Sequence, residues 1–277
     1  MSRTYLALLH YDGRAFAGWQ RQPEGRTVQA EFEGVLERLL GRRVPVHAAG
    51  RTDAGVHAIG MGVSLTVPEA WNAERLCRAL NALLPGDCWV DRVCAMTPGF
   101  HARKSATGRR YRYDIGTDAT SLSPFRRPYE WALGRELDRP LLDRSAAAVL
   151  GEHDFEAFAV RRPEGRDPRP FRCAVREARW EVRDGDQGVR LHIAADRFLH
   201  HMVRFLVGTM VDIALHRRPA DDMQKLLVSH DNQDTSPPAP PQGLYFVAAD
   251  YPATCFLEAA VVAAPPERRV LAREGQR

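Results

Sequence analysis

Residues 196–216, DRFLHHMVRFLVGTMVDIALH, constrain the fold of this chain more than any other stretch. Met202, Phe205, Leu206, Thr209, Met210 and Ile213 recur at helical spacing, while Val203, Val207, Val211 and Leu215 line the other side. The spacing predicts a helix over about 199–216 that is apolar all round, and such a helix must be buried among other elements. Arg204 lies on it, and an arginine is almost never fully buried without a partner. Asp212 is about 12 Å further along the axis, too far for pairing within the helix. Two readings stay open: Arg204 meets a carboxylate from elsewhere, with Asp53 a candidate, or it sits at the helix start and snorkels to water.

The layers around that helix can be read from period and punctuation. TYLALLHYD (4–12) alternates loosely and reads as a strand. TVQAEFEGVLERLLG (27–41) places Val28, Phe32, Val35, Leu36, Leu39 and Leu40 at helical spacing between a Thr27 cap and a Gly41 stop. RVPVHAAG (43–50) and IGMGVSLTV (59–67) read as strands on either side of a loop. NAERLCRALNALLPG (72–86) reads as a second helix with an Asn cap and a Pro-Gly stop. CWVDRVCAM and RRYRYDIG are further strands, followed by a helix near 138–150. Strands at 171–184 and 188–196 are joined by the hairpin-like DGDQG. A short helix near 220–229 and a last strand, LYFVAAD, complete the pattern.

These elements imply an α+β architecture in two rough halves, with a largely antiparallel sheet. The expected boundaries are an N-terminal subdomain at 1–105, a C-terminal subdomain at 106–252 and an accessory tail at 253–277.

Composition narrows the class. With 277 residues, 44% hydrophobic and 27% charged, the chain has the make-up of a soluble globular protein. No apolar run approaches the roughly 20 residues that span a bilayer, and the N-terminus does not read as a secretory signal. Five cysteines form no C-x-x-C pair, which points to a reducing cytoplasm rather than a disulfide framework or structural zinc. No H-E-x-x-H occurs, and His200 and His201, if helical, would diverge by about 100°. No metal is expected. The net charge is +4, and lysine occurs only at Lys104 and Lys225, so the basic side chains are almost all arginine. Arginine suits bidentate phosphate contacts, but codon bias gives the same composition.

Three stretches could carry chemistry. In AAGRTDAGVHAIG (48–60), Asp53 is the only acid between Glu37 and Glu69, beside glycines that fit a turn as well as an active-site loop. HARKSATGRRYRY (101–113) holds Arg103, Lys104, Arg109, Arg110 and Arg112 with no acid, interleaved with Tyr111 and Tyr113. As a strand it would put Tyr111, Tyr113 and Ile115 on one face and Arg110, Arg112 and Asp114 on the other. That pattern fits a phosphate backbone with an unstacked base; composition alone favours the plainer arrangement, tyrosines facing the core and arginines facing water. VRRPEGRDPRPFR (160–172) could reach a nucleic-acid backbone or be a solvated loop.

Taken together, YDGRAFAGWQRQ, RTVQAEFE, GRTDAGVHA, FHARKSATGRRYRY, GEHDFEAF, FLHHMVRFLVG and GLYFVAADY closely resemble the bacterial tRNA pseudouridine synthase A family. They occur in the family's order and cover residues 4 to about 251. The resemblance implies a homodimer of two-subdomain α+β protomers sharing a continuous antiparallel sheet, with a basic cleft between the subdomains. It implies isomerisation of uridine to pseudouridine at positions 38, 39 and 40 in the anticodon arm of tRNA, in the cytoplasm. Asp53 matches the essential aspartate, Tyr111 the tyrosine that packs on the target base, and Arg204 the arginine paired with that aspartate. Arg51 matches the motif arginine linked to substrate handling, and Leu244 an apolar contact near the base. Arg103, Lys104, Arg109 and Arg110 are the expected backbone-binding residues. Phe205 departs from the Asn common after VR, and Met61 and Gly62 depart from the usual QV.

The implied reaction breaks the C1′–N1 bond, turns the detached uracil, joins C1′ to C5 and releases the C5 proton. Nothing is oxidised and no group is lost, so no cofactor is chemically required. Asp53 would act as the nucleophile, kept ionised by an arginine against the upward pull of burial. Attack at C1′, addition at C6 and a glycal route all remain open. Tyr111 could stack on the uracil and relay the C5 proton. Flipping the target base out of its stem costs a few kcal/mol, which backbone contacts would offset. A non-catalytic RNA-binding module and an Asp-based hydrolase are the competing readings; the first would bind tRNA without changing it, and the second lacks a second carboxylate near Asp53.

Overall fold

The computed structural model describes residues 1–160, 171–229 and 231–257. Most of the Arg-rich 160–172 segment and the tail beyond 257 therefore lie outside the described residues. In chain order the elements are β1 (Ser2–Tyr11), α1 (Val28–Leu40), β2 (His47–Ala48), β3 (His57–Pro68), α2 (Ala73–Leu83) and β4 (Cys88–Met96). They continue with β5 (Gly108–Gly116), β6 (Trp131–Ala132), α3 (Arg139–Ala148), β7 (Gly151–Asp154), β8 (Arg172–Val182) and β9 (Val189–Ala195). Two helices, α4 (Met202–Ala214) and α5 (Asp222–Ser229), precede β10 (Leu244–Asp250). The α+β expectation holds, with largely antiparallel pairing and a parallel exception between β5 and β6. The chain divides into two compact units, one of Met1–Arg109 with the chain from Phe246 onward, the other of Arg110–Tyr245.

In the first unit the strands run β4-β1-β3-β10. Tyr5, Ala7 and Leu9 of β1 oppose Leu65, Val63 and Met61 of β3. β1 is buried in a nearly continuous run from Tyr5 to Tyr11 rather than in strict alternation, as expected of a strand covered on both faces. Helix α1 begins at Thr27, whose hydroxyl accepts from the Ala30 N–H, and ends at Gly41 in the left-handed region at φ 67°. Its buried stripe is Val28, Phe32, Val35 and Leu36. Asn72 caps α2 through the Arg75 N–H. Leu6, Met96, Phe100 and Ala102 form a further buried cluster, against which Tyr251 and Phe256 pack.

In the second unit the strands run β5-β9-β8-β7. β8 and β9 form an antiparallel hairpin, with a register shift between Val175 and Glu177 and Trp180 opposite Leu191. All but two residues of α4 are buried, so the helix that is apolar all round sits inside the unit as its sequence demands. Gly208 makes this possible on one side: a Cβ there would lie 2.2 Å from the Pro237 carbonyl oxygen. The helix starts later than its apolar pattern, because His201 takes a left-handed conformation at φ 62°. His200 and His201 are therefore not successive helical residues, and their rings lie 4.0 Å apart instead of diverging.

Candidate active site

The loop carrying Asp53 is built by the end of β1 and the turn that follows it. Asp12 caps a 3₁₀ turn at Gly13–Ala15, accepting from the Arg14 N–H. Gly13 passes so close to the Asp53 loop that a Cβ there would lie 2.1 Å from the Val56 carbonyl oxygen. Gly18, at φ 101°, passes within 2.7 Å of the Thr52 oxygen by the same measure. The Trp19 N–H donates to the Thr52 carbonyl at 3.0 Å, and the Val56 N–H closes a turn onto the Asp53 carbonyl at 3.2 Å. Gly55 allows that turn with φ 78°. Side chains then alternate in exposure: Arg51 is exposed, Thr52 buried, Asp53 half-buried and Ala54 exposed. Inside, the Thr52 Oγ1 and the Tyr11 hydroxyl are hydrogen-bonded at 2.7 Å. His57 is buried just beyond the loop, its Nδ1 accepting from the Gly13 N–H at 3.1 Å. Burial pushes the Asp12 carboxyl up, but hydrogen bonds from Arg14 more than offset this and leave it below its ordinary value.

A basic turn lies in the same unit. The Ser105 N–H donates to the His101 carbonyl at 2.9 Å, and the His101 N–H donates back to the Ser105 hydroxyl at 3.2 Å. Arg103 and Lys104, both exposed, sit at its tip. The His101 ring stacks on His47 at 4.3 Å between centroids. Arg109 has a different setting from Arg103 and Lys104. Its guanidinium donates to the carbonyls of Ala49 (3.2 Å), Ala106 (3.2 Å) and Arg103 (2.7 Å). It thereby ties the basic turn to the chain leading into the Asp53 loop.

The remaining candidates lie in the second unit. Tyr111 is half-buried, edge-to-face with Phe198 at 5.0 Å. Tyr113 is fully buried and donates to the Pro240 carbonyl at 2.7 Å; burial pushes its phenol up. The picture of arginines facing water fails for Arg112. Its guanidinium lies over the Tyr245 ring at 4.3 Å, and the buried Asp114 beside it is gripped at 2.6 and 2.9 Å by Arg190. Arg110 is exposed and lies 3.7 Å from Glu177. Arg204, on the first turn of α4, donates through Nε to the Ala239 carbonyl at 2.7 Å, and its own carbonyl accepts from the Ala239 N–H. Leu244 is buried at the start of β10. The structure thus brings together Asp53 with the Thr52–Tyr11 pair, and Arg103 with Lys104 and Arg109. It places Arg204 and Tyr113 on the short 239–240 segment. Tyr11, Thr52 and Phe198 were not singled out by sequence. All three lie within quoted motif stretches, but no spacing rule signals the contact of Tyr11 with Thr52 or of Phe198 with Tyr111.

A family profile described as tRNA pseudouridine synthase matches residues 7–103 and 146–252 of the chain. The matched segments contain Arg51, Asp53, Arg103, Arg204 and Leu244, with Tyr111 in the interval between them. Among curated relatives, the tRNA pseudouridine synthase A of Myxococcus xanthus is 40% identical over 246 residues, covering 88% of this chain and 90% of the relative. That of Thermus thermophilus is 40% identical over 253 residues, covering 90% and 97%. That of Citrifermentans bemidjiense is 36% identical over 259 residues, covering 91% and 99%.

Proposed function

Because the chain belongs to the tRNA pseudouridine synthase family, we propose that it isomerises uridine to pseudouridine in tRNA, at positions 38, 39 and 40 of the anticodon arm, with Asp53 as the reactive carboxylate. The observation that carries the reading is the setting of Asp53. It is a half-buried acid on a loop fixed by backbone hydrogen bonds and close glycine contacts, inside a segment matched by the family. A carboxylate held this way is oriented before substrate arrives, which is what a reaction at one carbon of a flipped nucleotide requires.

The reaction is an intramolecular transfer. The C1′–N1 bond breaks, uracil turns while held, C1′ joins C5, and the C5 hydrogen leaves as a proton while N1 takes one up. Tyr111, Arg204, Arg51 and Leu244 take the roles that the family resemblance gives them. Tyr111 stacks on the uracil with its ring braced by Phe198. Arg103, Lys104 and Arg110 are exposed to receive the RNA backbone, and Arg109 contributes by bracing the basic turn. The protein acts as a cytoplasmic homodimer; the five free cysteines among the described residues support the reducing compartment. No helix among the described residues is long and apolar enough to cross a membrane.

The direct test is tritium release from tRNA carrying uridine labelled at C5. Wild-type protein releases the label, and Asp53→Asn does not while still binding tRNA. Absence of release by the wild type from tRNAs with uridine at positions 38 to 40 overturns the reading. Arg204→Met lowers turnover more than tRNA affinity; near-normal turnover in that variant removes Arg204 from the machinery.

A further inference from the structure

The turn that Asp53 opens continues through the small residues Ala54 and Gly55, which bring no polar side chain to anchor it. The neighbour on its other side is different. Thr52 is only 7% exposed, and its carbonyl and hydroxyl are both engaged, by the Trp19 N–H and by the Tyr11 hydroxyl. Tyr11 is only 4% exposed and is the last residue of β1, opposite Ala58 of β3 and Cys88 of β4. Its ring is set by Phe16 and Trp19, each 6.3 Å away between centroids. The 2.7 Å bond therefore runs from the buried end of a strand paired on both sides to the residue directly before Asp53.

From this geometry we infer that Tyr11 and Thr52 form a positioning pair that fixes the direction of the Asp53 carboxylate. The inference rests on the reading of Asp53 as the reactive group. Two buried hydroxyls that satisfy each other add direction to packing, since a phenylalanine and a valine would fill similar space without a preferred orientation. Moving the backbone at Asp53 would pull on Thr52 and strain the bond between the two hydroxyls. Neither side chain is placed to touch RNA from the interior, so the pair acts through Asp53 and is not catalytic itself.

Reaction geometry is sensitive to displacements of about 1 Å, which cost on the order of a hundredfold in rate. Tyr11→Phe and Thr52→Val should therefore each lower kcat about tenfold or more, with the KM and Kd for tRNA within about twofold of wild type. The double variant should fall no further than the weaker single variant, because both changes remove one bond. Thr52→Ser, which keeps the hydroxyl, should restore kcat to within about threefold. Rates are normalised to folded enzyme by thermal melts, and the Thr52 variants carry the test should Tyr11→Phe not fold. Single variants with kcat within twofold of wild type, multiplying effects, a loss of affinity equal to the loss of kcat, or no rescue by serine each overturn the positioning pair. Asp53→Asn is measured alongside. Retained turnover in that variant overturns the assignment of Asp53 instead, whatever Tyr11 and Thr52 show.

Discussion

Nδ1 of His101 accepts from the backbone N–H groups of Arg103 at 3.2 Å and Lys104 at 3.4 Å, so the basic turn needs that nitrogen unprotonated. Burial first, and then the charges of His47, Lys104 and Arg103, hold its pKa below the ordinary 6.5. The unfolded chain therefore binds this proton at higher pH than the folded one. The contribution to stability is fully present above 6.5 and declines as pH falls from there through the folded pKa. An NMR titration should place the His101 midpoint below 6.5, and His101→Gln should flatten the loss of stability on the acid side; a midpoint at or above 6.5 refutes the account. At this scale, what could be read in advance was chemistry announced by residue type and neighbourhood. A lone acid in GRTDAGVHA and arginines without acids in HARKSATGRR are local facts. The bond between Tyr11 and Thr52 spans 41 residues, and no local pattern encodes such a pair.

Among the elements, α4 shows how strongly contact can override propensity. Alanine favours a helix interior over glycine by about 1 kcal/mol, yet at Gly208 a methyl would meet the Pro237 carbonyl at 2.2 Å. Backbone on both sides must shift to admit it, and overpacking of that kind costs about 1–3 kcal/mol. Gly208→Ala should accordingly lower the urea midpoint; a stabilised variant would show that the 237–239 segment yields freely. The long elements were legible because their signals are redundant. Thr27 and Gly41 bracket α1 as cap and stop, Asn72 opens α2, and β4 and β10 follow their apolar runs. RVPVHAAG has the pattern of a longer strand, but only His47 and Ala48 pair with β3, since Pro45 has no N–H to donate. β6 and β7, of two and four residues, are too short to show a period and owe their pairing to neighbouring strands.

For the whole molecule, a net charge of +4 is too small to imply RNA binding, so affinity must come from where the charge is placed. Arg103 and Lys104 share one fixed turn, and each should account for about one phosphate contact. Replacing either with alanine should reduce the slope of log affinity for tRNA against log salt by about one. An unchanged slope in both variants would move the backbone grip elsewhere. The first unit is also discontinuous in the chain. Gly60 of β3 has no Cβ because the Val247 carbonyl of β10 occupies that space, 2.1 Å from where it would sit. Yet everything from Arg110 to Tyr245 is synthesised between those two partners. At ordinary elongation rates this interval lasts on the order of ten seconds. The nascent chain must therefore carry β3 around Gly60 as an open edge while the second unit emerges, and open edges recruit foreign strands. The glycine that admits β10 in the finished protein marks a place where a growing chain is open to mispairing on the ribosome.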